Sequence, residues 1–345
     1  MKSKFLTSCL YRAGGGRLLD LFWGPTRLTV MAYHRIIDVN TPDFLYYDGV
    51  AESPDVFARQ MAYVAENFNV IDLARLHAFV KHGHPLPSRP MLITFDDGYI
   101  DNYTYAFPLL RGLGLPAVIF LITGRMDNPI VPWWDECAYY FRRTEKSQVM
   151  LPLLGAQDIS TTKQRQVVLD KLLSTLKTVP DADKQDMIPQ VSSALDVAPP
   201  PHDRSLFVSW DQVREMVANG IACQPHTVSH PILTRVPQEE MRRQLKESRD
   251  RIISETGQEV MAFAYPNGLS ADYDVTTQQT VSSLGYSMAF TLATGPAKAE
   301  QVRKHPMTIP RILPRPNDSL EGFALRVNGL ELLKKRWRSL RLFKN

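Results

Sequence analysis

The chain predicts an α/β fold, a barrel of parallel strands and helices, and three observations carry that expectation. Apolar runs of strand length alternate with amphipathic helical stretches in a βαβ rhythm. Key runs lead into polar, chemistry-bearing residues, and parallel α/β folds build their sites at the carboxyl ends of strands. No internal repeat divides the 345 residues, and single α/β barrels run well past 200 residues.

Taken in order, a β-rich run, Leu28-Thr29-Val30-Met31-Ala32-Tyr33-His34, opens the barrel. Residues 54–67 read as a helix, with Ser53 as cap, Pro54 at the first helical position, and Phe57, Met61, Val64 and Ala65 on one face. Val70-Ile71 leads into a helix at 73–81, and Met91-Leu92-Ile93 forms the next strand. A helix at 103–113 stops at Gly114, before a buried strand at 117–122. From 142 to 204 the rhythm gives way to a polar segment with Leu169, Leu172, Leu173 and Leu176 at helical spacing and a Pro199-Pro200-Pro201 break. It reads as a helical insertion that packs on the barrel or forms a rim over its mouth. Beyond it come a helix at 210–218 capped by Ser209 and ended by Asn219-Gly220, then the strand Ile221-Ala222-Cys223. A charged helix at 239–255 and strands at 261–264 and 285–291 complete the pattern. The expected organisation is an N-terminal helical extension (1–28), a barrel (29–313) carrying the insertion (142–204), and a basic amphipathic tail (314–345).

Thr94-Phe95-Asp96-Asp97-Gly98-Tyr99 sets two carboxylates at the end of a buried strand. Two Asp within an apolar run are costly unless the chain is leaving the sheet there. Taken alone, an Asp-Asp-Gly reads first as a helix cap beside a solvated neighbour. About 130 residues downstream, His226-Thr227-Val228-Ser229-His230 spaces two imidazoles for one face of a helical turn, confined to a loop or short helix by Pro225 and Pro231. With Asp97 as third ligand, the set is His, His, Asp with open positions, as expected for a hydrolytic Zn2+ site, while Asp96 is left free to act as a base.

These two segments resemble the first two motifs of the NodB-type polysaccharide deacetylases, carbohydrate esterase family 4, which remove N-acetyl groups from amino sugars. Phe263-Ala264-Tyr265-Pro266-Asn267-Gly268 stands where that family carries an Arg-x-Pro-x-Gly-like motif forming one wall of the groove. The resemblance covers roughly residues 29 to 313 and implies an irregular β/α barrel. The motif Arg is replaced by Ala264, so another residue must orient or charge-balance Asp96, and Arg311 is the candidate. The late Leu-x-His motif is absent, and His305 reads as a solvated loop residue. A branch of the family, including deacetylases of poly-N-acetylglucosamine, carries a Tyr-His near the amino terminus like Tyr33-His34, which implies His34 as the general acid. By resemblance, Tyr99 supplies a backbone N–H to the oxyanion, and Tyr265 and Pro266 contribute to substrate binding. Trp134, in Trp133-Trp134-Asp135, is a core aromatic or a groove residue that stacks on a sugar ring.

The implied cofactor is a divalent metal, Zn2+ first, with Co2+, Ni2+ or Mn2+ as alternatives. The implied activity is hydrolysis of an N-acetyl amide on a glycan or a lipid-linked amino sugar. Removal of a formyl or other acyl group from a lipid-linked sugar, or hydrolysis of a small non-sugar amide, is the alternative within catalysis, and a glycan-binding pseudoenzyme the alternative outside it. A net charge of +4, with 44% hydrophobic and 22% charged residues, is ordinary globular composition and points to no nucleic-acid partner. Cys9, Cys137 and Cys223 are too far apart for a metal set or a disulfide framework. Lys2 and Lys4 precede Phe5 and Leu6, but Arg12 and Arg17 break any signal-like core, and no run approaches a membrane span, so a cytoplasmic chain is expected. Leu330, Leu333, Trp337 and Leu340 share a helical face beside Lys334, Lys335, Arg336, Arg338, Arg341 and Lys344. Residues 330–345 therefore suit peripheral contact with an anionic membrane at its inner face, or a solvated helix end.

Overall fold

Seven short strands line the barrel in a computed structural model that describes residues 27–40, 46–128, 130–201, 206–315 and 318–330. We label them β1 (Arg27–Tyr33), β2 (Pro90–Asp97), β3 (Ala117–Leu121), β4 (Ile221–Pro225), β5 (Ala262–Ala264), β6 (Met288–Thr291) and β7 (Ile309–Pro310). β1 to β4 form one parallel run and β5 to β7 another. Two devices join the runs. Between β4 and β5 the Gln224 side chain replaces the ladder, its Oε1 accepting from the N–H groups of Met261 and Ala262 at 2.9 and 3.0 Å. On the other side Ile312 pairs with Met31, its N–H donating to Val30 O at 2.8 Å and its carbonyl accepting from Ala32 at 2.9 Å.

Alternation along each strand sorts two cores. Val30, Leu92, Val118, Phe120, Ala264 and Phe290 fill one cluster, and Leu76 and Phe79 of a flanking helix (Leu73–His82) pack on it. Met31, Ile93, Phe95, Ile119 and Phe263 face the other way, toward helices that include Pro54–Asn67 and Gln238–Thr256. Local chemistry sets several boundaries. Ser53 caps Pro54–Asn67, Ser209 and Gln212 form a reciprocal capping box on Trp210–Ala218, and Gly114 ends Phe107–Leu113 at φ 66°.

Three differences from the expected organisation have physical causes. The helix expected at 103–113 begins with a π-helical turn, Asn102–Ala106, because Pro108 has no N–H and its ring would clash with the Thr104 carbonyl in a regular helix. The insertion is not purely helical. It opens with an antiparallel hairpin (Gln148–Leu151 and Gly155–Asp158) before the helices Thr162–Leu176 and Asp181–Leu195, and with Trp133–Arg143 these share a separate core around Tyr140, Phe141, Leu172, Val191 and Leu195. The barrel also extends past 313. Helix Leu320–Val327 buries Phe323, Ala324 and Val327 against Pro54–Asn67, and Asn328 accepts from Arg27 at 2.8 Å. Residues 1–26, including Cys9, and 331–345 of the basic segment lie outside the described residues. Among the described residues no helix is long and apolar enough to cross a membrane.

Candidate active site

Strand register assembles the carboxyl-end rim. Tyr33 pairs with Phe95, which lays His34 beside Asp96. Asp97 pairs with Leu121 and Leu121 with Pro225, so His226 follows at the same level, its N–H donating to Leu121 O at 2.8 Å. Across the barrel Thr291 pairs with Pro310, which puts Arg311 at the same end. Adjacent strand side chains normally diverge. Here Asp97 turns to φ 72° and Gly98 to 82°, and both carboxylates reach one cavity. Only glycine suits position 98, because a Cβ there would lie 2.6 Å from Leu121 Cδ2 as well as at positive φ.

The two imidazoles meet by a different route from the helical turn that their spacing suggests. Residues 226–232 form a loop in which Thr227 and His230 take φ of 69° and 65°. Thr227 Oγ1 accepts from the His230 N–H at 2.9 Å, and Gln244 Oε1 accepts from Val228 and Ser229 at 2.9 and 3.0 Å. These side chains supply the partners that a helix would have found in its own carbonyls. The rings end 4.8 Å apart. His226 Nδ1 lies 2.7 Å from Ala264 O. A carbonyl can only accept, so Nδ1 carries the proton and Nε2 turns its lone pair to the cavity.

Asp97 Oδ1 is 3.6 Å from His226 Nε2 and 3.7 Å from His230 Nε2, and the ligand atoms of the three residues lie within 4.8 Å of one another. That oxygen is buried and, among the described residues, has no hydrogen-bond partner. Burial, then the charges of Asp96 and Asp135, push the Asp97 carboxyl well above the usual carboxylate range. Burial likewise holds His226 and His230 below the ordinary histidine value. A partnerless carboxylate oxygen facing neutral imidazole nitrogens is a setting that a cation relieves, and the donor set fits a divalent metal.

Asp96 is the opposite case. Arg311, itself fully buried, donates through Nη1 to Oδ1 at 2.6 Å and through Nη2 to Oδ2 at 2.7 Å, and reaches Thr94 Oγ1 at 3.2 Å. Burial alone would raise this carboxyl, but Arg311, His226 and His34 outweigh it and draw it down to about 2. The guanidinium therefore charge-balances Asp96. His34 Nε2 is 3.7 Å from Asp96 Oδ2, and burial, opposed by the Asp96 charge, lowers its imidazole to about 4.

The cavity, about 260 Å³, is lined by His34, Asp96, Asp97, His226 and His230, with Trp134, Leu173, Lys177 and Leu269 among its walls. Trp134 packs edge-on to His230, centroids 4.7 Å apart, and its Nε1 donates to Tyr99 Oη at 2.8 Å. Tyr99 in turn donates to Asp135 Oδ2 at 2.7 Å and stacks on Phe207, while Arg35 lies over its ring at 4.3 Å. The phenol of Tyr99 is thus a buried brace. Its backbone bridge to Phe207 uses the N–H groups of Ile100 and Val208, which spares the Tyr99 N–H. Tyr265 needs correction as a substrate contact. Its side chain is 1% exposed, stacks on Tyr273 and donates to Met307 O at 3.1 Å, because its position on β5's continuation turns it into the core. Pro266 is buried beside it, and Asn267 and Leu269 line the cavity instead. His305 is exposed, and Cys137 and Cys223 are buried free thiols. Sequence reasoning missed the cavity roles of Leu173 and Lys177; the leucine spacing at 169–176 marked the helix but not the face that meets the barrel.

Residues 83–289 match the family model described as polysaccharide deacetylase. His34 and Arg311 lie outside that span. The chain is 35% identical over 71 residues to the poly-beta-1,6-N-acetyl-D-glucosamine N-deacetylase of Escherichia coli K12, a match spanning 20% of this chain and only 11% of that protein. Among solved structures, Streptococcus pyogenes deacetylase PplD in complex with acetate superposes with a TM-score of 0.59 at 19% identity, covering 88% of this chain and 99% of that one. IcaB from Ammonifex degensii gives a TM-score of 0.54 at 19% identity, covering 88% and 98%. These two likenesses are of fold.

Proposed function

Because this chain belongs to the polysaccharide deacetylase family, we propose that it hydrolyses the N-acetyl amide of an amino sugar in a bacterial polysaccharide or its lipid-linked precursor, using a divalent metal. The observation that carries the reading is the pairing, on successive residues, of an ionised carboxylate clamped by Arg311 with a partnerless one facing two imidazoles. Asp97, His226 and His230 would hold the metal. Bound there, it would acidify a water and polarise the amide carbonyl.

The protein groups manage one proton. Asp96 is ionised and His34 neutral at neutral pH, so the pair begins ready to accept a proton and not to give one. As water attacks the carbonyl carbon, Asp96 takes its proton. With 3.7 Å between Asp96 Oδ2 and His34 Nε2, a small movement passes that proton to His34 and on to the departing nitrogen. The C–O bond forms, the C–N bond breaks, and acetate and a free amino sugar leave with no outside donor. The Tyr99 N–H is available to the oxyanion.

The test is acid release from N-acetylglucosamine oligomers and N-acetylglucosamine 1-phosphate by metal-loaded, chelated and Asp96→Asn protein. Metal-dependent acetate release that falls by at least a hundredfold in Asp96→Asn is expected. Formate release from N-formyl analogues without acetate release would move the reading to a deformylase. Binding of the sugars with no turnover in any form would replace the enzyme with a glycan-binding module.

A further inference from the structure

The insertion contributes one charged group to the catalytic cavity. Lys177 is the residue immediately after helix Thr162–Leu176, and its side chain lines the same cavity as Asp97, His230 and Trp134, beside Leu173 from one turn earlier. Among the described residues its Nζ makes neither a hydrogen bond nor an ion pair. The acids whose fields reach it are Asp272 and Asp97, and neither forms an ion pair with it. Arg311 is clamped to Asp96, and Lys184, also from the insertion, is paired with Asp181.

An unpaired ammonium here serves none of the purposes already described. Asp96 is neutralised by Arg311, so Lys177 is not needed as its counterion. A positive charge in the same cavity opposes any cation held by Asp97, His226 and His230, and so weakens that site if it acts alone. Lys177 is half-buried, its apolar stem lying along the cavity wall and its ammonium still within reach of solvent. Its placement in a partly apolar cavity makes sense when the occupant brings the missing negative charge.

We infer that Lys177 is a specificity-determining residue that receives an acidic group, carboxylate or phosphate, borne by the amino sugar or the unit attached to it next to the scissile amide. The inference rests on the amidohydrolase reading for its location. A phosphate would come from the linkage of the sugar to a carrier, and a carboxylate from a neighbouring uronic acid. Lysine binds either as a point charge, without the planar fork that arginine offers. The insertion thereby chooses the substrate while the barrel performs the chemistry.

Three probes separate the sources: a neutral N-acetylglucosamine oligomer, N-acetylglucosamine 1-phosphate, and an oligomer alternating N-acetylglucosamine with glucuronate. Each is tested for turnover by the metal-loaded full chain and for calorimetric binding to the chelated full chain, with wild type, Lys177→Met and Lys177→Arg. At low salt the wild type is expected to favour at least one anionic probe over the neutral one by about tenfold in kcat/KM and in affinity, the margin shrinking as salt rises. Lys177→Met should erase that margin through KM, and Lys177→Arg should restore much of it. Whichever anionic probe shows the margin identifies the source. Should turnover be absent for every probe, the deacetylase reading fails, yet the calorimetric margin still decides the role of Lys177. An unchanged preference in Lys177→Met, or a wild type that binds the neutral probe as well as both anionic ones, overturns the inference.

Discussion

Asp96 and Asp97 are neighbours in the chain, equally buried, and their carboxyls are pushed in opposite directions. Asp96 has both oxygens bonded to a buried guanidinium and is held at about 2. Asp97 has a buried oxygen with no partner, and burial together with the charges of Asp96 and Asp135 pushes its carboxyl up. The same side-chain chemistry is thus set to two tasks by what surrounds it. The difference is built from distant parts of the chain. Arg311 closes the barrel from its last strand, whereas the histidines opposite Asp97 come from the loop after β4. The lesson is that the carboxylate needing no cation is the one already given one by the fold.

Removing Arg311 breaks the comparison most severely. In Arg311→Gln, Asp96 becomes a second buried carboxylate without a counterion, at a cost of about 3 to 5 kcal/mol. Its depressed carboxyl contributes stability that is present above the ordinary carboxylate range and lost as pH falls toward about 2. Without Arg311, burial acts unopposed by its largest partner, and the acid limb of the kcat/KM profile should move upward toward neutrality. Chemical denaturation and a pH–rate profile check both effects. Arg311→Lys should recover part of each, and a profile in Arg311→Gln identical to wild type would contradict the assignment.

A smaller effect tests Asp97. A metal at a hundredfold excess over its Kd stabilises the protein that binds it by about 2.7 kcal/mol, a rise in Tm of several degrees. Chelated wild type and Asp96→Asn should both show this rise on adding Zn2+, and Asp97→Asn should not. A full rise in Asp97→Asn would remove that residue from the ligand set.

Legibility followed the range of the interactions. Capping at Ser53 and Ser209 and the stop at Gly114 are local chemistry, and the helices they bound are readable from a few residues. The Asp-Asp and His-x-x-x-His pairs were readable for the same reason. Their meeting depended on register, which the strand ends imply. What failed to show depended on facing. Phe263-Ala264-Tyr265 gives no sign of which residue turns to the groove, and Tyr265 turns to the core. The hairpin at 148–158 did leave a trace, since Val149 and Leu151 are buried between exposed Gln148 and Met150, but four residues of alternation are too short to stand out within a polar segment. Lys177 left none, because nothing local to a helix end reveals what lies across from it.

His34 gives the mildest and most discriminating test, since it lies 3.7 Å from the satisfied carboxylate and takes its low value mainly from burial. Its imidazole titrates near about 4 in the folded chain and near 6.5 when unfolded. Between those values the unfolded chain binds the extra proton, so His34 adds to stability above about 6.5 and loses that contribution as pH falls toward about 4. Over the step from pH 7 to 5.5 the loss is about 1 kcal/mol at 1.36 kcal/mol per unit. His34→Gln cannot titrate, and its stability relative to wild type should therefore improve by that amount over the same step, as urea midpoints at the two pH values would reveal. If wild type instead gains on His34→Gln over that step, His34 is already protonated in the folded chain. The proton relay from Asp96 would then lose its acceptor, and the leaving nitrogen would need another source.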